Sequence, residues 1–256
     1  MPEEIRLRRG EPAGVRRAGK DYICGPVVQG CDLQHLLLSA TGGSLHCAQA
    51  YLAQGFLPLP EGGRLGICGL GNGYALSTVT SVCIRLPQQV FGCADTVLRR
   101  ICCPQFTGTI IISPPGLGKT TLLREMIRRL SQAGYAVSVC DPRGEISGRQ
   151  GSGAGFDLGP RTDVSVGDCG ADGAVKLLRT MSPQILAMDE LTAGKDRKTL
   201  WEAVSCGVEL LSTVHGDSAR DLQRPGLREL VSFGAFTNAV EISLQDGQRH
   251  YEVQPL

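Results

Sequence analysis

Thr109-Ile110-Ile111-Ile112-Ser113-Pro114-Pro115-Gly116-Leu117-Gly118-Lys119-Thr120-Thr121 runs from a β-branched stretch through a Gly/Pro turn into a helical pattern that continues over Leu122–Leu130. Strand, glycine-rich loop and helix in that order predict a phosphate-binding loop. Its backbone N–H groups converge on phosphate oxygens, and the helix N-terminus adds the positive end of its dipole. The nucleotide-binding candidates are therefore Ser113, Pro114, Pro115, Gly116, Leu117, Gly118, Lys119, Thr120 and Thr121. Lys119 is placed to reach the β- and γ-phosphates of ATP, and the Thr120 hydroxyl to ligate Mg²⁺. The bland alternative is a chance Gly/Pro turn capped by threonine, which needs no lysine at that position. The pattern G-x-x-x-x-G-K-[ST] begins on glycine, and this chain has Ser113 there. A Cβ at that point costs up to ~1 to 3 kcal/mol if the backbone occupies a region only glycine tolerates.

Outward from the loop, apolar runs at Thr109–Ile112, Ala136–Cys140, Ile185–Met188 and Val208–Val214 alternate with amphipathic patterns at Lys119–Ser131, Ala171–Met181 and Asp196–Cys206. That alternation predicts an α/β domain with a parallel sheet covered on both faces. Gly148–Gly159 is glycine-rich and reads as a flexible or ligand-ordered loop. Upstream of about residue 105 the composition differs. Strands are expected at Tyr22–Val28, Arg64–Leu70 and Tyr74–Leu86, turns at Glu61-Gly62-Gly63 and Gly71-Asn72-Gly73, and helices at about Asp32–Ser39 and Leu45–Gln54, the latter carrying Leu45, Ala48 and Leu52 at helical spacing. The expectation is a small α+β unit over residues 1–105 and a P-loop domain over 106–256.

Carboxylates follow the third of the apolar runs. Ile185-Leu186-Ala187-Met188-Asp189-Glu190 puts Asp189 at the C-terminal edge of the sheet, where it is suited to hold Mg²⁺ through water, and Glu190 beside it, suited to orient or deprotonate an attacking water. The competing reading is an acidic pair at a helix N-terminus. The run Val208–Val214 delivers Thr213, His215 and Gly216 to the same edge. His215 there is either a γ-phosphate sensor or a hydrogen-bonded structural histidine. In Asp141-Pro-Arg-Gly-Glu145, Glu145 is a candidate second carboxylate. Arg143 and Arg161 are candidates to neutralise phosphoryl charge in a neighbouring subunit, or else solvated arginines in salt bridges. Trp201 reads as core or interface.

The 256 residues are 42% hydrophobic and 20% charged, with 26 Lys+Arg against 25 Asp+Glu, which excludes disorder, collagen and coiled coil. The near-zero net charge argues against a chain devoted to coating nucleic acid or an anionic membrane. The start, Met-Pro-Glu-Glu-Ile-Arg, lacks a signal-peptide pattern, and no apolar run reaches ~18 residues, so a cytoplasmic location is expected. The 11 Cys include no C-x-x-C pair and are expected to be reduced, mostly as small core residues.

The segments Glu4-Ile-Arg-Leu-Arg8, Gly55-Phe-Leu-Pro-Leu-Pro-Glu-Gly-Gly-Arg-Leu-Gly-Ile67, Pro114 to Leu123, Gly159-Pro-Arg-Thr-Asp-Val164, Arg179-Thr-Met-Ser-Pro183 and Thr213-Val-His-Gly216 resemble the stage III sporulation protein AA family across essentially the whole chain. The resemblance implies a RecA-like AAA+ core related to type II and type IV secretion ATPases, behind a small N-terminal domain. It also implies a cytoplasmic, ATP-hydrolysing homo-oligomer, hexameric in form, in the mother cell of an endospore-forming bacterium. Such a protein docks on membrane proteins of a sporulation channel complex that leads to the forespore. Ser113 and the stretch Asp141-Pro-Arg-Gly-Glu145 depart from the family's pattern.

Two other functions share the same phosphate chemistry. A DNA-handling ATPase, such as a helicase loader or transposition helper, calls for a basic groove with stacking aromatics. One Trp, five Tyr and six Phe, with no dense Lys/Arg cluster, disfavour it, and no nucleic-acid partner is expected. A nucleotide-gated scaffold without turnover has no use for Lys119, Thr120, Asp189 and Glu190 together. Contact with lipid is expected only through partner proteins, since no basic amphipathic helix is present.

Overall fold

The computed structural model describes residues 2–17, 19–43, 49–52, 55–59, 63–71, 76–86, 89–148, 155–167, 171–191, 197–224, 227–232 and 234–256. Glu61, Gly62, Asn72 and Gly73 of the predicted turns, Leu45 and Ala48 of the second predicted helix, residues 149–154 of the glycine-rich loop and Asp196 lie outside the described residues. The chain forms two compact units, one of Met1–Gln88 with Gly148–Gly155 and one of Gln89–Ser147 with Phe156–Leu256.

In the first unit, β1 (Glu4–Arg8), β2 (Pro12–Arg17), β3 (Lys20–Val27), β4 (Phe56–Pro58), β5 (Arg64–Gly71) and β6 (Leu76–Arg85) make an antiparallel sheet in the order β3-β2-β1-β6-β5-β4. Strand residues alternate between faces. Leu65 and Ile67 of β5 turn inward with Val79 and Val82 of β6, and helix α1 (Gly30–Ala40) lays Leu33 and Leu37 on them. The Asp32 carboxylate starts that helix by accepting the Gln29 N–H at 2.8 Å. A short helix α2 covers Gln49–Leu52. Strand β1 alternates Ile5 and Leu7 with charged residues over only five positions and β2 has little apolar content, and they form here by pairing, with Ile5 opposite Ile84 and Leu7 opposite Val82.

The second unit opens with α3 (Asp95–Ile101) and continues through β7 (Thr109–Ser113), α4 (Lys119–Gln132), β8 (Val137–Asp141), β9 (Thr162–Val166), α5 (Ala171–Met181), β10 (Ile185–Met188), α6 (Arg197–Ser205), β11 (Glu209–His215), a 3₁₀ turn at Ala219–Gln223, α7 (Leu227–Ser232), β12 (Asn238–Gln245) and β13 (Gln248–Pro255). The sheet order is β13-β12-β7-β11-β10-β8-β9, parallel throughout except for the edge strand β13. Adjacent residues of each central strand feed opposite cores. Ile111, Val139, Ala187 and Leu211 pack with α3 and α4 on one face, and Ile110, Ile112, Leu186 and Leu210 pack with α5 and α6 on the other. This is the α/β architecture expected from the sequence, with helices on both faces of a parallel sheet. The cysteine- and glycine-rich composition persists to about residue 105, whereas the chain divides after Gln88, because α3 buries Val97 and Ile101 in the core of the second unit.

Two further expectations are corrected. Of the nine cysteines described, all free, only Cys140 is buried and five are exposed, because many lie on solvent-facing sides of short strands and turns rather than in the cores. Trp201 is 59% exposed on α6, which removes the core alternative and leaves the interface one. Among the described residues no helix is long and apolar enough to cross a membrane.

Candidate active site

Parallel strands end at one edge of a sheet, and residues just past those ends face one another. The partnerships Thr213 with Ile111, His215 with Ser113, and Met188 with Ser212 fix which ends meet. Ser113 closes β7 fully buried, its hydroxyl donating to the Pro114 carbonyl at 3.0 Å. It is absent from the non-glycine residues with positive φ. The strain foreseen for a Cβ at this position is therefore not present, since strand backbone suits any residue. The turn is made instead by Gly116 at φ 82° and Gly118 at φ 98°, the latter capping α4.

Lys119, 8% exposed, donates from Nζ to the carbonyls of Ser113 (2.8 Å) and Pro114 (3.2 Å) and to His215 Nδ1 at 3.0 Å. Burial pushes the Lys119 amine below its ordinary value, and the Asp189 and Glu190 carboxylates pull it partly back. An ammonium has no acceptor, so Nδ1 of His215 accepts and its proton sits on Nε2, assigned from this pattern. Nε2 faces Glu190 Oε1 at 3.3 Å, and the other Glu190 oxygen accepts from Arg143 Nη1 at 3.0 Å. Lys119, His215, Glu190 and Arg143 thus form one continuous polar chain.

Beside it, the Thr120 hydroxyl donates to Asp189 Oδ2 at 3.1 Å. The hydroxyl of fully buried Thr213 donates to Asp189 Oδ1 at 2.6 Å and accepts the Glu190 N–H at 2.9 Å. Glu190 has a φ of 52°, a left-handed conformation that a side chain disfavours, and the Thr213 bonds hold it there. Hydroxyl and carboxylate oxygens are the hard donors that Mg²⁺ takes.

Other candidates lie elsewhere. Glu145 is exposed on the loop after β8, where its carbonyl accepts from Arg124 Nη2 at 2.7 Å. Arg161 is exposed at the N-terminal end of β9, the opposite edge of the sheet from Lys119, and its N–H donates to Ser131 Oγ. Pro115, Leu117 and Thr121 complete the loop and the first turn of α4. Sequence reasoning passed over Arg124. It is buried in α4, pushed down to about 10 by burial, bonded from Nε to the Ile146 carbonyl at 2.8 Å, and stacked 3.7 Å from the Phe156 ring. Together with Asp141, which accepts the Ser147 N–H and hydroxyl, it shapes the Asp141–Ser147 turn. A signal existed: Arg124, Glu125 and Arg128 interrupt the apolar positions of a helix that turns out to be buried nearly all round.

The family described as Sporulation stage III, protein AA, matches residues 2–252. A relative named Stage III sporulation protein AA, from Bacillus subtilis (strain 168), is 30% identical over 257 residues, covering 96% of this chain and 83% of the relative. Among solved structures, the pilus retraction motor PilT with bound ADP aligns at a TM-score of 0.65 and 21% identity, over 99% of this chain and 79% of that one. The Legionella pneumophila ATPase DotB aligns at 0.61 and 16% identity, over 98% and 75%. These likenesses show the fold alone, a RecA-like α/β fold shared with these two proteins.

Proposed function

Because the chain belongs to the Sporulation stage III, protein AA family, we propose that it is a Mg²⁺-dependent ATPase working as an oligomeric motor of the secretion-ATPase type. In this reading it is a homo-oligomer, hexameric by resemblance, in the mother-cell cytoplasm. It is held at the membrane by protein partners and energises the channel complex to the forespore. The observation that carries the ATPase reading is the convergence of Lys119, Thr120, Asp189, Glu190, Thr213 and His215, from three separate stretches of sequence, on one edge of the sheet.

The residues divide the work. The N–H groups of Gly116 to Thr120 and the Lys119 ammonium receive the phosphate oxygens. Lys119 exchanges the Ser113 and Pro114 carbonyls, which are only dipoles, for anionic oxygens, and its amine recovers what burial took from it. Thr120 and Asp189 supply the oxygen donors for Mg²⁺, which when bound neutralises phosphate charge. Glu190 takes up the proton of the attacking water. Each Glu190 oxygen has one partner, His215 on Oε1 and Arg143 on Oε2, and keeps a lone pair for that water. When Lys119 turns to the phosphates, His215 Nδ1 loses its donor, which makes His215 a reporter of occupancy. Arg161, exposed and at the far edge, serves the site of a neighbouring subunit, and Glu145 adds negative charge on the loop after β8.

Hydrolysis of ATP by the purified protein, compared with Glu190→Gln and read together with mass in solution with and without nucleotide, tests the proposal. Turnover that depends on Glu190 and rises with assembly is expected. Equal turnover in Glu190→Gln removes the base assignment, and binding without turnover favours a nucleotide-gated scaffold.

A further inference from the structure

The phosphate loop is also held by a side chain far away in sequence. Arg249, in β13, donates from Nε to the Leu117 carbonyl at 2.7 Å. Its guanidinium lies against the next residue so closely that a Cβ on Gly118 would stand 3.2 Å from Nε and 3.5 Å from Cζ. A trans peptide points its C=O and N–H in opposite directions within one rigid plane. The carbonyl that Arg249 grips and the Gly118 N–H are the two ends of that plane.

We propose that Arg249 is a positioning residue of the nucleotide site. By fixing the Leu117 carbonyl on the outer side of the loop, it aims the Gly118 N–H inward at phosphate. This rests on the ATPase reading above. The contact does more than hold a shape. A hydrogen bond from a charged donor is roughly twice as strong as a neutral one, and it polarises the peptide so that the opposite N–H becomes a better donor. The guanidinium makes no other hydrogen bond or ion pair among the described residues, so its charge is not cancelled by a carboxylate.

Arg249 is exposed and mounted near the turn of the C-terminal hairpin. Strand β13 pairs with β12 from Asn238 opposite Pro255 to Gln245 opposite Gln248, with Arg249 opposite Leu244. Strand β12 in turn runs beside β7, with Val240 at Ile111 and Glu241 at Ile112. The hairpin and the strand that feeds the loop are neighbours in one sheet, and Leu117 and Tyr251 pack on the same core. Nothing after Gly216 in the sequence carries a phosphate-binding pattern, yet the fold returns the C-terminal hairpin to the loop.

The experiment uses the full chain and compares wild type with Arg249→Ala and Arg249→Lys in ATP affinity, steady-state kinetics and melting temperature without nucleotide. Arg249→Ala is expected to raise Kd and KM for ATP about 10-fold, the loss of one charge-assisted hydrogen bond, while kcat changes less than about 3-fold. Its nucleotide-free melting temperature stays within about 2 °C of wild type, and Arg249→Lys recovers most of the affinity. Unchanged Kd and KM in Arg249→Ala overturn the proposal. So does a fall in nucleotide-free melting temperature with kcat and KM disturbed alike and no recovery by lysine. Wild-type protein that binds no ATP overturns the ATPase reading and this proposal together, whereas a variant that binds like wild type overturns this proposal alone.

Discussion

Replacing Thr213 by valine keeps the shape of a fully buried side chain and removes only its hydroxyl. That hydroxyl donates to Asp189 Oδ1 at 2.6 Å and accepts the Glu190 N–H at 2.9 Å. The first bond has an ionised acceptor and contributes about 1.5 to 3 kcal/mol, the second about 1 kcal/mol, and no cavity is created. The loss is therefore about 3 kcal/mol, or roughly 6 to 12 °C in melting temperature for a unit of this size. Activity should fall with it. Glu190 sits at a φ of 52°, and once its N–H is unheld the backbone relaxes and carries the carboxylate away from its place beside His215. A displaced base costs at least about 10-fold in turnover, equivalent to ~1.4 kcal/mol of barrier. Thr213→Ser is the control, losing one methyl and about 1 kcal/mol while retaining both bonds. Calorimetry and phosphate release on the three proteins decide the matter. A valine variant that melts within about 2 °C of the serine variant and turns over like wild type would refute the reasoning.

Lys119→Ala should abolish nucleotide binding, checked by titration with a fluorescent ATP analogue, and retained affinity would remove the loop from the site. Gly159→Ala would place a Cβ 2.6 Å from Ser131 Cβ and 2.9 Å from the Arg128 carbonyl at a φ of 88°. A loss of about 2 to 4 kcal/mol is expected, read by denaturant titration, against about 1 to 2 for Gly134→Ala, where φ is 102° and nothing stands within 4 Å. Equal losses at the two glycines would mean that the turn after Leu158 is free to shift. For buried Glu125, burial would raise the carboxyl, but Arg128 at 2.6 Å and the Gly92 N–H at 2.7 Å outweigh it and hold it below its ordinary value. A depressed folded pKa gives stability that is present above about pH 4 to 5 and lost as pH falls through the folded value. Glu125→Gln should flatten the acid side of the stability profile, and an unchanged slope between about pH 5 and 3 would contradict the pairing.

How much could be read in advance differs from element to element. β10 and α5 occur as the periodicity predicts, and β7, β8, β11, α1 and α4 within a residue or two, because an apolar run or an amphipathic stripe is a local property. Strands β1, β2 and the edge strand β9 are short and half-exposed, so the two apolar residues that alternate in β1 (Ile5, Leu7) and in β9 (Val164, Val166) are a weak local signal, and these strands form because a neighbour offers them hydrogen bonds. Ser113 looked strained when aligned to a pattern, and its actual backbone, the last residue of a buried strand, carries no such strain.

By itself the sequence determined that this chain has a phosphate-type loop between a strand and a helix, that two carboxylates and a histidine follow later strands, and that the architecture is α/β. Each of these depends on residues a few positions apart, where sterics, helix period and strand alternation act directly. Tertiary structure decided the rest: that Lys119 lies against His215, His215 against Glu190 and Glu190 against Arg143, that Thr213 bridges Asp189 to Glu190, and that Arg249 grips Leu117. Those contacts exist only because β11 inserts between β7 and β10 and because β12 comes home beside β7 with β13 paired on its outer side. Strand order is set by the sum of packing over two cores at once, and no local stretch of sequence records that sum.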